Sequence, residues 1–459
     1  MSAPAPSERT LTASSIDDAK LKSAISKAAR HLMPMLVILY FVAFLDRTNV
    51  GFAQAALKAD RGVSDAAFAL GAGIFFIGYA IFEVPSNLLL KRFGARFWLA
   101  RISITWGIVA AAFAFTSNDV MFNVLRFLLG VTEAGLFPGV IMFLSEWFPN
   151  KVRVQMFAIF YLAQPFSQMI GAPMSGGLIS FGDSLGFARG WQVMFFGEGI
   201  LAILAGIAAL FLLTNSPAKA KFLDDDEKLA LSNAMAVEDH ARNQDGPKGI
   251  WAAMANWKVW YFTVIYFALQ IAVYGTTFYL PQEVAGLLGK KVGWEVGLVS
   301  AIPWLVGLFA CYFLGRAAHT VARRRNWGTL LYIGTGLFIV GSAWAGMTNQ
   351  PLLGIVFITL AVASFLAVGP ITWAYPTSFL TGAAAAAGIG LINSLGNLGG
   401  FVAPLMRTAF NSAMPTTSGA WGVISLGVFA FLGALMMFLT KFFRTAKSDE
   451  LLDEPVMHH

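Results

Sequence analysis

The sequence predicts an all-α integral membrane protein with twelve transmembrane helices in two six-helix halves, on three observations. Of its 459 residues, 57% are hydrophobic and 12% charged, about half the roughly 25% charge of a soluble domain and too little to cover a water-facing surface. Apolar runs of about 20 residues recur along the chain, each long enough at 1.5 Å per residue to cross a hydrocarbon layer of roughly 30 Å. One long polar stretch, 215–257, separates six such runs from six more.

The runs place spans at 33–56, 67–90, 97–116, 120–145, 153–180 and 191–214, then at 258–282, 294–317, 327–346, 352–374, 383–406 and 419–442. This divides the chain into a tail 1–32, a half 33–214, a central loop 215–257, a second half 258–442 and a tail 443–459. Lys and Arg concentrate in the tails, the central loop and the short loops on that same side, which predicts that both termini face the cytoplasm. The first thirty residues are polar with no apolar core or cleavage site, so the first span is expected to act as an uncleaved insertion signal. The central loop carries an Asp/Glu/Lys-rich segment suited to a surface helix. GARFWLAR (94–101) after the second span and GRAAHTVARRR (315–325) after the eighth occupy matching places. That echo suggests two repeats with a binding site at their interface near the membrane midplane.

The formal charge of +7 is spread over short loops rather than one face, so it reads as an orientation signal and not as a nucleic-acid surface. The partners expected are the lipid bilayer and small molecules, with the chain as a monomer. The single cysteine, Cys311, leaves no intrachain disulfide and reads as packing. All five histidines fall in tails, loops or span ends, so any proton carrier within the membrane must be a carboxylate. No nucleophile arrangement, metal cluster or cofactor motif is present to support an enzyme.

Charges inside the spans carry the functional signal, because each costs roughly 2.5–3.5 kcal/mol at mid-bilayer unless paired or hydrated. Asp46 and Arg47 lie roughly 20 Å along a span beginning near Met33. Arg126 and Glu133, seven residues apart, return to nearly the same face of an antiparallel helix at similar depth. The four could share one cavity. Buried ion pairs hold a bundle less well than apolar packing, so four such groups argue for function over bracing. Glu83 and Glu198 read as span-end residues or partners of loop arginines. Tyr79, Gln164 and Gln168 suit contacts to a polar solute or between helices. The second half has no formal charge near the middle of its spans. Its polar groups there, Gln270, Tyr274, Thr372, Trp373, Asn393, Ser394 and Asn397, suit a solute bearing hydroxyls.

At LDRTN (45–49), EVPSNLLLKRFGAR (83–96), LRFLLGVTEAGLFPG (125–139) and SEWFP (145–149) the sequence resembles the anion:cation symporter family of the major facilitator superfamily. The likeness covers nearly the whole chain. Within that family it is most similar to bacterial L-rhamnonate carriers, through ALGAGIFF (69–76), AVYG (272–275), FYLPQEVAGLLGKKVG (278–293) and AAGIG (386–390). The resemblance implies the major facilitator fold and proton-coupled uptake of an organic anion across the bacterial inner membrane, with no cofactor and the proton gradient as energy source. It implies that Arg47 engages the substrate carboxylate and that Asp46 and Glu133 titrate. Arg126 would pair with an acid or help attract the anion, and Tyr79, Gln164, Thr372, Trp373 and Asn393 would line a sugar-acid pocket. Two departures stand out: Lys91 occupies the place of a superfamily Asp in the loop after span two, and GAPMSGG (171–177) partly resembles a motif of antiporters. A monocarboxylic sugar acid is the leading expectation; a tartrate- or phthalate-like dicarboxylate, drug export and a sensor on a transporter scaffold are the rivals.

Overall fold

The computed structural model describes residues 18–186, 188–244, 254–318, 321–376, 382–415 and 419–442, and nearly all of them are helical. Eleven helices among these residues are long and apolar enough to cross a membrane: Asp18–Arg61, Asp65–Phe93, Ala95–Phe115, Asp119–Trp147, Gly190–Leu212, Trp257–Thr277, Trp294–Leu314, Ala322–Met347, Pro351–Ala374, Gly388–Ala413 and Ala420–Phe442. The twelfth, fifth in chain order, is the pair Asn150–Tyr161 and Ala163–Ser184. It crosses beside the others but is diluted by Gln164, Gln168, Ser167, Ser175 and its glycines, which reflects its place at the bundle interior. Side chains such as Val120, Phe211 and Leu352 are more than 70% exposed on outer helix faces, as a lipid-facing surface requires.

Within the first half the third span packs along the sixth and the second along the fourth; within the second half the ninth lies between the tenth and twelfth. The halves meet where the fifth span packs on the eighth and the second on the eleventh. Small residues make that approach possible. A Cβ on Gly176 would lie 2.4 Å from the Gly293 carbonyl oxygen, and one on Gly297 would lie 2.5 Å from that of Ala172. The GAPMSGG segment is therefore a helix-contact surface here. Further along, Gly51 faces the Phe278 carbonyl across the halves, and the Gln282 side chain donates to the Gly51 carbonyl at 2.8 Å. These contacts press the halves together at the end of the bundle away from the termini.

Several spans are interrupted. The fourth breaks at Ala134–Gly135, where Gly135 has a left-handed φ of 90° that favours glycine. Glu133 is consequently the last residue of its half-helix, Asp119–Glu133. The seventh breaks after Thr277 and resumes as Leu280–Leu288, and the eleventh is divided at Leu398. Irregular backbone at membrane depth is tolerated where protein buries it or a cavity borders it. In the central loop, the helix Asp225–Gln244 docks on the extended start of the first span. Phe222 stacks on His31 at 4.2 Å, and Glu227 takes hydrogen bonds from Ser23 at 2.6 Å and Lys27 at 2.9 Å.

Candidate functional site

A cavity lies between the halves on the terminal side of their closed end. Its first-half wall is built by helical spacing: Tyr40, Phe44 and Arg47 follow one another by four and three residues, and Phe75 and Tyr79 by four, so each set faces one way. Tyr161 and Gln164 complete that wall. The opposite wall comes from Tyr266, Gln270 and Tyr274 on the seventh span and Asn393 and Asn397 on the eleventh, again at spacings of four. The Gln270 amide donates to Asn397 at 2.6 Å and Asn397 donates to Asn393 at 3.1 Å, a chain of amides with further donors and acceptors to offer.

Arg47 is the one formally charged residue among the described residues that line the cavity. Its guanidinium sits over the rings of Phe44, Phe75 and Tyr79 with centroids at 4.7, 5.0 and 5.6 Å, an arrangement that favours a planar cation. It forms an ion pair with Glu133 and reaches across the halves to donate to the Tyr274 hydroxyl at 3.3 Å. Glu133 is fully buried, and its second oxygen has no hydrogen-bond partner, nor has Arg47 Nε. The pair depends on backbone contact between the second and fourth spans. A Cβ on Gly130 would lie 2.0 Å from the Phe75 carbonyl oxygen, so only glycine lets these helices bring Glu133 against Arg47. A buried pair with leftover hydrogen-bonding capacity is poorly suited to bracing and well suited to exchanging one partner for another.

Of the residues singled out in the sequence, Arg47, Tyr79, Gln164, Gln270, Tyr274, Asn393 and Asn397 line the cavity and Glu133 borders it through Arg47. The expectation that two acids and two bases share one cavity is not met. Asp46, one residue from Arg47 and so rotated by about 100°, points to the third span and accepts from the Trp106 indole at 3.0 Å. Arg126 donates to the Gly71 carbonyl at 3.0 Å and packs beside Phe75 and Phe278. Thr372 lies behind the wall, bonded to the Tyr332 hydroxyl at 3.2 Å. Trp373 stands edge-on to Tyr266 at 4.8 Å.

Two acids expected at span ends or beside loop arginines are buried with neutral hydrogen-bond partners. Glu198 is 1% exposed and accepts from Asn49 at 2.7 Å and Ser175 at 2.6 Å. Glu83 is 7% exposed and accepts from Ser394, across the halves, at 2.9 Å. Tyr40, Tyr161 and Tyr266 were missed altogether. Their signal is a tyrosine four residues, or three, from another cavity group inside an apolar run. Among the described residues no group of three or more His, Cys, Asp or Glu is placed to hold a metal ion.

Two six-helix halves around a polar cavity lined by an ion-paired arginine, with interrupted helices, make the architecture of a membrane transporter and not of an enzyme. The chain belongs to the major facilitator superfamily, which its residues 36–404 match. It is 38% identical to the inner membrane transport protein RhmT of Escherichia coli strain K12 over 441 residues, covering 96% of this chain and 99% of that one. It is 41% identical to a proposed tartrate transporter of Agrobacterium vitis over 386 residues, 83% of this chain and 87% of that one. A D-xylose-proton symporter shares the fold at a TM-score of 0.69 and 17% identity, with 89% of this chain and 97% of that chain aligned.

Proposed function

We propose that this protein takes up a monocarboxylic sugar acid, L-rhamnonate or a related aldonate, together with protons, across the bacterial inner membrane with both termini in the cytoplasm. The observation that carries the reading is the buried Arg47–Glu133 pair on a wall otherwise made of neutral hydroxyl, amide and aromatic groups. A proton on Glu133 cancels its attraction to Arg47 and leaves the guanidinium to a solute carboxylate; loss of the proton returns Glu133 to Arg47 and expels the anion. Each ligand thus favours the state that accepts the other, and the linkage is reciprocal. Amides and tyrosines supply partners for the solute's hydroxyls. Asp46, held by Trp106, is a second proton site outside the cavity wall, and Arg126 adds positive potential from behind Phe75. Thr372 and Trp373 act on the pocket through Tyr332 and Tyr266.

A single cavity cation supports one carboxylate over two, because a buried second carboxylate would lack a counter-charge. The segments that resemble L-rhamnonate carriers, at 69–76, 272–275, 278–293 and 386–390, fall in both halves, and the similarity to the inner membrane transport protein RhmT extends over 96% of this chain. The test is uptake of labelled L-rhamnonate and labelled tartrate into proteoliposomes with the outside made acidic. Accumulation of L-rhamnonate that collapses with a protonophore is expected. Accumulation of tartrate alone, or uptake indifferent to the protonophore, would overturn the reading.

A further inference from the structure

We propose that the closed end of the bundle holds a second anion-binding site centred on Arg407, a waiting site for the same class of sugar acid before it reaches Arg47. The inference rests on the sugar-acid reading above. A cavity of about 450 Å³ lies there between the halves, bordered by Gln54 and Lys58 of the first span, Gln282 of the broken seventh, and Arg407, Thr408 and Asn411 of the eleventh. Its size falls within the roughly 300–1,000 Å³ of small-molecule sites. A second cavity of about 720 Å³ shares Gln282 and Arg407, so the guanidinium stands where the two meet. In the proposed orientation both face the periplasm.

The chemistry repeats that of the central cavity. Arg407 has a side chain only 9% exposed, pairs with Glu283 at 2.5 Å and lies 4.0 Å over the Tyr279 ring, as Arg47 pairs with Glu133 over aromatic rings. The other cation bordering the cavity, Lys58, is likewise held by an acid, Asp65, at 2.5 Å. Amides and a threonine hydroxyl surround both pairs, a lining suited to a polyhydroxy carboxylate. The two sites are neighbours along the seventh span. Tyr274, near the end of the helix Trp257–Thr277, lines the central cavity, and Tyr279, in the break that follows, lines the outer one. Between them stands Phe278, with Phe76 against Tyr274 at 4.6 Å. Opening this seal would leave a solute a short transfer from one arginine to the other.

The rival reading of Arg407–Glu283 is a brace between the seventh and eleventh spans, and the two readings differ in sign for Glu283→Gln. A brace loses strength when its acid is neutralised; an exchangeable site releases its cation and binds the anion more tightly. Labelled L-rhamnonate is equilibrated with the purified full chain, and bound molecules per chain are counted. Two are expected in the parent, one in Arg407→Gln and one in Arg47→Ala. Glu283→Gln should bind at the outer site about fivefold or more tighter, since Arg407 no longer exchanges one charge-assisted partner for another. One molecule in the parent, lost in Arg47→Ala and unaffected by Arg407→Gln and Glu283→Gln, would overturn the outer site and leave the proposed function standing. No molecule in the parent would defeat the sugar-acid reading, and the outer site with it.

Discussion

Replacing Glu133 by Gln isolates the proposed coupling step, because the amide keeps size and hydrogen bonding but cannot carry the charge that holds Arg47. Glu133 is fully buried and is the carboxylate paired with Arg47, so the substitution exchanges a charge-assisted bond for a neutral one. Those differ by about 1 kcal/mol or somewhat more, which predicts sugar-acid binding about five- to tenfold tighter in the variant. Exchange of labelled for unlabelled solute across equally loaded vesicles should survive. Accumulation should not. Each proton carried down one pH unit supplies about 1.4 kcal/mol, a tenfold concentration ratio; without the Glu133 titration that ratio should fall towards one at a gradient of one unit. The assay pairs counterflow with uphill uptake in parent and variant vesicles. Uphill uptake at the parent's level would refute the reasoning and leave Asp46 as the proton site.

Arg47→Ala should abolish L-rhamnonate binding at the central site by calorimetry, leaving only the molecule held at Arg407, since a carboxylate buried in the central cavity would then lack a counter-charge; Arg47→Lys should bind there at least tenfold more weakly, about one charge-assisted bond, for want of the planar fork. Gly130→Ala should lower the thermal midpoint by the equivalent of about 1–3 kcal/mol of overpacking and raise KM, as its Cβ meets the Phe75 carbonyl and parts Glu133 from Arg47. Burial pushes the Glu227 carboxyl up, but Lys27, Ser23 and the Asp224 amide outweigh it and hold it down to about 2. Its contribution to docking the helix Asp225–Gln244 is therefore complete above the ordinary carboxyl value of 4.5 and lost as pH falls through about 2. Hydrogen exchange in that helix, corrected for intrinsic rates, should rise between those pH values in the parent and already be raised at neutral pH in Glu227→Gln. A phosphatase fused after Gln244 should be inactive if that loop is cytoplasmic.

The bundle was legible because apolar length is a direct consequence of bilayer thickness, and the fifth span was recovered by length where composition alone leaves it out. Arg47 and Glu133 were legible through depth: antiparallel helices with known rise bring their charges to one level. What depth cannot supply is azimuth. Asp46 and Arg47 share a depth but point in directions about 100° apart, so one faces Trp106 and the other the cavity. Arg126 has the azimuth of Glu133 but lies two turns away, where the Gly71 carbonyl and not a carboxylate meets it. Arg407 falls one residue beyond the eleventh span as the apolar run places it, 383–406, and so outside the charges weighed within spans; the helix runs on to Ala413. Tyr79 and Tyr274 were legible as polar groups, but Tyr40, Tyr161 and Tyr266 were not, since a hydroxyl scarcely alters an apolar run; their mark is a spacing of four from Phe44, three from Gln164 and four from Gln270.

The central claim is that solute and proton cross together, and the most direct measurement follows both at once without an imposed gradient. Proteoliposomes carrying a pH-sensitive dye receive L-rhamnonate outside at equal pH on both faces. The account predicts that the lumen acidifies as labelled solute enters, with neither signal in Arg47→Ala vesicles. Entry of labelled L-rhamnonate into parent vesicles with no change in lumenal pH would contradict it.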